Sequence, residues 1–162
     1  MRNEEDRGIY EIVTSSLSTP PCQYGVLEYR DDESFSYHTQ QVDMEKWARK
    51  HKSTDENLLN FNTYAPAALR TIFYNQSYDA MKDSEEEETG DLFVKLTQRQ
   101  KEQMSEVYAQ LNAACYGGKA YEVVKEATTT PAYKMWQEDC YPMVLFAYLE
   151  YIVDDAVEDY NY

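Results

Sequence analysis

Two clusters of carboxylates are the residues of this sequence whose type and spacing could support chemistry. The first cluster consists of Glu85, Glu86, Glu87, Glu88 and Asp91. The second lies close to the C-terminus and consists of Glu150, Asp154, Asp155, Glu158 and Asp159. Carboxylate oxygens are ligands for hard cations such as Mg²⁺, and they also attract basic side chains of other proteins. The clusters therefore allow either a metal site or a surface that binds a basic partner.

The metal hypothesis depends on the first cluster. The segment from Glu87 to Phe93 resembles the E-E-x-G-D-L-x segment of all-α nucleotide pyrophosphohydrolases. In that family a Glu and an Asp three residues apart on one helical face hold magnesium, with an acidic E-x-x-E pair on a preceding helix. Glu88 and Asp91 match the first pair, whereas the preceding helical region supplies only Asp79. The resemblance implies a magnesium-dependent enzyme, which is the third hypothesis for the function.

Other catalytic patterns are absent from the sequence. His38 and His51 are not spaced as in an H-E-x-x-H metal site, and there is no G-x-S-x-G, phosphate-loop or G-x-G-x-x-G motif. Gly117-Gly118 lacks the lysine and serine of a phosphate loop and is typical of a helix end. We therefore expect no catalytic residue, no metal and no cofactor.

The binding hypothesis depends on net charge. Thirty Asp and Glu against fifteen Lys and Arg give a formal net charge of −15, which disfavours direct binding to nucleic acid or to an anionic membrane. The last 28 residues contain seven acids and no Lys or Arg. On a helix the acids at 154, 155, 158 and 159 are expected to project toward one side, where they repel each other and oppose the helix dipole. Folding alone does not favour this arrangement, so we expect an acidic partner-binding face.

Aromatic residues accompany this acidic face, since the chain contains sixteen tyrosines and two tryptophans. Tyr and Trp are frequent energetic centres of protein interfaces. The candidate aromatic contacts are Trp47, Trp136, Tyr151, Tyr160 and Tyr162.

Two functions follow from charge and aromatic content. The first is an acidic inhibitor that occupies the basic cleft of a nucleic-acid-binding enzyme, because spaced carboxylates can imitate the regular phosphate charges of DNA. The composition is similar to that of bacteriophage anti-restriction and anti-CRISPR decoys. The alternative is a protein–protein adaptor that does not mimic nucleic acid, or a homo-oligomeric regulator that associates through its apolar last helix.

The sequence also indicates the compartment. The N-terminus, MRNEEDRG, has no apolar signal segment, and the longest apolar stretch, Met143 to Leu149, is only seven residues long. Three cysteines without close pairs do not form a disulfide framework or a zinc site. We therefore expect a cytoplasmic protein, in the host cytoplasm if the source is a virus.

The elements that would position these residues belong to a mainly α, α+β fold. A small N-terminal antiparallel sheet or hairpin is predicted over about residues 9–42, with strands at Ile9–Val13, at Tyr24–Tyr29 and from Phe35, and a turn at residues 30–34. It is expected to pack on a helical bundle over about residues 43–160. The whole chain, 1–162, is predicted to be one acidic domain with fraying at 1–8 and 158–162.

Local signals place the helix ends. Asp43 is a predicted N-cap, residues 53–56 resemble a capping box, and Thr97-x-x-Gln100 is a second one. Pro66 is expected in the first turn of a helix that continues to about Met81. Further helices are predicted at Thr97–Gly117, at 120–127, from Pro131 to about Asp139, and after Pro142. The last of these is expected to be the central helix of the core.

Overall fold

The computed structural model describes residues 16–82, 93–139 and 144–157. This part of the chain forms an antiparallel β-hairpin followed by seven helices, so the predicted mainly α fold with a small N-terminal β element is confirmed. The strands are β1 (Gln23–Tyr29) and β2 (Phe35–Gln41). The helices are α1 (Met44–Lys50), α2 (Glu56–Leu59), α3 (Phe61–Lys82), α4 (Gln98–Tyr116), α5 (Ala120–Ala127), α6 (Pro131–Asp139) and α7 (Val144–Val157).

The hairpin is peripheral to the core. Tyr29 pairs with Phe35 at its closed end, and the predicted turn is closed by a hydrogen bond from Arg30 N to Ser34 O at 2.9 Å. No side chain of either strand is buried, and the strands pair with each other while making only sparse contacts with the helices described. The predicted strand at Ile9–Val13 lies outside the described residues.

Most helix ends form where the sequence predicts them. Asp43 accepts a hydrogen bond from Lys46 N at 2.9 Å and so caps α1. Thr97 and Gln100 form the predicted capping box of α4, and Gly117 is its C-cap. The predicted capping box at residues 53–56 was wrong, because the N-cap of α2 is Asp55 and not Ser53. The Asp55 carboxylate accepts from the backbone of Asn57. These caps are local, which is why sequence alone can locate them.

Helix α3 differs from the prediction at its start. It begins at Phe61, so Pro66 is its sixth residue and not part of its first turn. The extra turn is stabilised from outside the helix, because the backbone N–H of Asn62 donates to the Glu45 carboxylate of α1 at 3.1 Å. This contact joins groups 17 residues apart in sequence, and local helix signals cannot reveal it.

Helix α4 is the centre of the core, and the expectation that the last helix has this role was wrong. Within the described residues, α4 packs against α3, α5, α6 and α7. Its predicted apolar face is confirmed, since Met104, Val107, Tyr108 and Leu111 are buried. Helix α7 covers one side of this core with Phe146, Leu149 and Ile152. None of the helices in the described ranges combines the length and apolar character needed to cross a bilayer.

Candidate partner-binding site

The acidic residues of α7 carry no compensating charge in the described part of the chain. Asp154 and Asp155 are exposed, and Glu150 is half-buried. No Lys, Arg or His among the described residues forms an ion pair with any of the three. The other predicted members of the acidic face lie outside the described residues; they are Glu85, Glu86, Glu87, Glu88, Asp91, Glu158 and Asp159.

The three acids of α7 lie near two different neighbouring helices. Burial, together with the negative charge of Asp155, raises the pKa of the Cys115 thiol of α4. Burial, together with the charges of Glu150 and Asp154, raises the pKa of Tyr133 on α6. Consecutive helical residues point about 100° apart, so Asp154 and Asp155 influence different neighbours. Glu158 and Asp159, the other two members of this predicted side, lie outside the described residues, so a common direction of the four acids stays a prediction.

The predicted aromatic contacts also separate in the structure. Trp47 on α1 is 48% exposed, and its ring lies 4.8 Å from that of His51, measured between centroids. Tyr151 on α7 is 73% exposed. Trp136, however, has no exposed surface, and its Nε1–H donates to Met104 O of α4 at 2.9 Å. The expectation that Trp136 is a surface contact was wrong. Tyr160 and Tyr162 lie outside the described residues.

Exposed Tyr151 lies beside a groove of about 590 Å³ that α3, α4 and α7 form together. Helix α4 is the floor, because it packs against both other helices. Helices α3 and α7 are the walls, and they make at most sparse contacts with each other. The aromatic and apolar lining residues are Phe73 of α3, Tyr108 and Tyr116 of α4, and Tyr148, Tyr151 and Ile152 of α7.

The aromatic rings form a continuous path from the groove into the core. The Phe73 ring lies 5.3 Å from that of Tyr116 and 6.5 Å from that of Tyr108, between centroids. Tyr108 continues to Trp136 at 5.8 Å. Tyr116 is 50% exposed, so this path ends in a solvent-accessible ring. The groove is therefore continuous with the core through these rings. The sequence pattern did not identify Phe73 or Tyr116 as site residues.

The polar lining of the groove consists mainly of hydrogen-bond acceptors and of groups that can accept or donate. Its polar residues other than tyrosine are Gln76, Asn112, Cys115 and Asp155, and none of the described lining residues is Lys, Arg or His. Asn112 is only 6% exposed, and its Nδ2 donates to Tyr108 O at 2.9 Å. No described residue donates to its Oδ1. The groove thus offers acceptors and one carboxylate to a ligand, but no cation.

The phenol of Tyr108 belongs to this low-dielectric floor. Burial, together with the nearby phenols of Tyr148 and Tyr116, raises the pKa of Tyr108 to about 12. Tyr108 therefore stays neutral at physiological pH. Among the described residues that line this groove, Asp155 therefore carries the charge.

A second depression, of about 310 Å³, lies between α3 and α4. Arg70 and Glu106 line it, and they form an ion pair with each other. Because its cation and its carboxylate already compensate each other, this depression has less charge to offer a partner than the groove does.

The predicted magnesium ligands Glu88 and Asp91 lie outside the described residues. In the ranges that the structure does describe, no three His, Cys, Asp or Glu side chains come close enough together to hold a metal ion.

Comparison with known proteins places the helical part of the chain in a family. A family model described as the C-terminal domain of cyclic nucleotide phosphodiesterase matches residues 43–159. A comparison with curated proteins finds no match. The matched range begins at Asp43, the N-cap of α1, and it includes every helix described while leaving the hairpin out. It covers 117 of the 162 residues. This chain therefore belongs to the family of C-terminal domains of cyclic nucleotide phosphodiesterase.

Proposed function

We propose that this domain binds a basic surface of a partner protein through α7 and the groove beside it. The observation that carries the proposal is that Asp154 and Asp155 are exposed without a described ion-pair partner, next to exposed Tyr148 and Tyr151. Tyrosines supply contact area and hydrogen-bonding hydroxyls, and carboxylates attract a basic partner and orient it. The domain acts by binding and not by catalysis.

The electrostatics of α7 support this proposal. Glu150 and Asp154 are four residues apart, a spacing at which like charges repel on a helix. Asp154 and Asp155 lie near the C-terminal end of α7, where negative charge opposes the helix dipole. Each effect costs folding a few tenths of a kcal/mol. A cationic partner would relieve both, so binding recovers stability that the free domain lacks.

Mimicry of nucleic acid is the narrower form of this proposal. A bacteriophage-type anti-restriction or anti-CRISPR decoy would use these carboxylates in the place of phosphates, and the net charge of −15 supports it. Duplex DNA carries one charge per roughly 1.7 Å of axis, so mimicry needs a longer row of carboxylates than Glu150, Asp154 and Asp155. The broader form, an adaptor or a homo-oligomeric regulator, needs no such row.

The test is capture of partner proteins from a bacterial lysate at about 50 mM and about 300 mM salt, concentrations between which screening of surface charges increases markedly. The matched control carries Glu150→Gln, Asp154→Asn and Asp155→Asn, which remove charge with little change in size. We expect basic proteins to be retained by the wild type at low salt, and to be lost at high salt and from the control. Competition by added DNA would select the decoy form. Equal capture by wild type and control would contradict the proposal.

A second candidate function follows from the family match. The domain could belong to the machinery of cyclic nucleotide hydrolysis, as the family description names such an enzyme. The described lining of the groove opposes binding of a cyclic phosphate there, because it contains Asp155 and no cation. Assays of cyclic nucleotide binding and hydrolysis by the purified chain, with and without Mg²⁺, decide this point. Turnover that Glu88→Gln or Asp91→Asn abolishes would establish the enzyme and its metal ligands.

A further inference from the structure

We propose that the groove between α3, α4 and α7 is a site for one arginine side chain of the partner, with the guanidinium against the tyrosines and bonded to Asp155. This inference rests on the proposed function, since it names the group by which a basic partner is recognised. It goes further because a general acidic surface does not distinguish arginine from lysine, whereas this groove should.

The lining of the groove is rich in exposed aromatic rings. Tyr116, Tyr148 and Tyr151 are each at least half exposed and line one groove together with Phe73. A cation near the face of an aromatic ring is attracted by the ring quadrupole, and a guanidinium can also stack on the ring because it is planar. Exposed rings gathered around a groove leave apolar surface in water, and a stacked guanidinium with its methylene stem would cover that surface.

The lining of the groove also offers hydrogen-bond acceptors. Asn112 lines the groove, and no described residue donates to its Oδ1. This acceptor can take an N–H from a ligand. Asp155 adds a carboxylate without an ion pair among the described residues, and Gln76 adds an amide. A guanidinium has five N–H donors and no acceptor, so its hydrogen-bonding groups complement this lining.

The size of the groove and the chemistry of the cation also favour arginine. The groove is open to solvent, and its volume of about 590 Å³ has room for an arginine side chain and part of its neighbours. The ammonium of lysine is compact, strongly hydrated and unable to stack. A lysine side chain would therefore be attracted by Asp155 as arginine is. It would gain less binding free energy from the rings and from acceptors that lie apart from Asp155, such as Asn112 Oδ1.

The experiment measures binding of three peptides to the full chain by fluorescence anisotropy at about 50 mM salt, where surface charges are weakly screened. The peptides have the same neutral Gly/Ser sequence with one central arginine, lysine or citrulline, which is the uncharged analogue of arginine. We expect the arginine peptide to bind roughly fivefold more tightly than the lysine peptide, and the citrulline peptide more weakly than both.

Two adjacent substitutions provide the matched control. Asp155→Asn removes the carboxylate that lines the groove, while Asp154→Asn removes an exposed charge that does not line it. We expect Asp155→Asn to weaken the arginine peptide about tenfold and Asp154→Asn to weaken it less than about twofold. Tyr151→Leu should also weaken it, while Tyr64→Leu, an exposed tyrosine at the start of α3, should not.

The outcomes separate this inference from the function on which it rests. Equal binding of the arginine and lysine peptides, or equal effects of Asp154→Asn and Asp155→Asn, overturns the arginine site and leaves general attraction of basic partners standing. Absence of binding by both cationic peptides overturns the site, and it also contradicts the proposed function if the lysate proteins are not retained either. Circular dichroism of each variant verifies the fold, which these exposed positions should not disturb.

Discussion

Trp136 and Trp47 differ in the surroundings of their rings, and this difference determines the role of each. Trp136 is fully buried, contacts Tyr108 and Phe93, and donates its indole N–H to Met104 O. Trp47 is half exposed and contacts His51. The helical pattern of residues 131–139 does not reveal which tryptophan is buried, because burial depends on the position of α4.

Replacing each tryptophan by phenylalanine tests these assignments. Trp136→Phe removes a buried donor and leaves a cavity, so it should lower the free energy of unfolding by about 2 kcal/mol. Trp47→Phe should change it by less than about 0.5 kcal/mol because the site is exposed. Urea unfolding followed by circular dichroism measures both. Similar losses in the two variants would mean that Trp136 is not in the core.

Tyr108 links stability to pH. Its pKa is raised to about 12 by burial, compared with about 10 in an unfolded chain. Between these values the unfolded state loses a proton that the folded state keeps, so stability falls as pH rises, by at most about 1.4 kcal/mol per pH unit for this one group. At neutral pH both states are protonated and the effect is absent.

Comparison of wild type with Tyr108→Phe isolates this contribution, because burial also raises the pKa of Tyr74 and Tyr133. Urea midpoints at about pH 9 and about pH 11 should fall more steeply with pH for the wild type than for the variant. An identical pH dependence in both proteins would show that Tyr108 ionises as easily in the folded state as in the unfolded one.

At the scale of the element, hydrogen bonds between groups close in sequence determine most helix ends. The sequence predicts the start of α1, both ends of α4 and the whole of α5 because Asp43, Thr97 and Gly117-Gly118 act on groups within a few residues. It does not predict that α3 starts at Phe61, since Glu45 of another helix supports that end. The start of α3 is therefore predicted wrongly because a contact with another helix supports it in place of a local cap.

The two adjacent glycines after α4 provide a test of helix termination. Gly118 has φ of 67°, which a residue with a Cβ adopts only with strain, whereas Gly117 is the right-handed C-cap with φ of −79°. Gly118→Ala should destabilise the domain by about 1 kcal/mol. Gly117→Ala should change stability by less than about 0.5 kcal/mol, because its Cβ would meet the Ala113 and Ala114 carbonyls at 3.4 Å, an ordinary contact. Thermal unfolding of both variants checks this, and equal losses would contradict the assigned role of Gly118.

At the scale of the whole molecule, the sequence predicts the fold class but not the groove. Charge, tyrosine content and the apolar faces of α4 and α7 follow from composition and periodicity. The groove exists because α3 and α7 pack on the same helix without covering each other, and this arrangement brings together Phe73, Asn112 and Asp155 from three separated segments. The family match begins at Asp43, between the hairpin and α1, so it covers the described helices and not the hairpin.

The most direct test of partner binding at this surface is a titration of the ¹⁵N-labelled chain with an Arg-Gly repeat peptide, followed by NMR. The account predicts that the shifted amides and side chains cluster around the groove, at Gln76, Asn112, Tyr148, Tyr151 and Asp155, and that Asp155→Asn greatly reduces the shifts. Shifts spread over the whole acidic surface, or concentrated on the hairpin at residues 23–41, would contradict it.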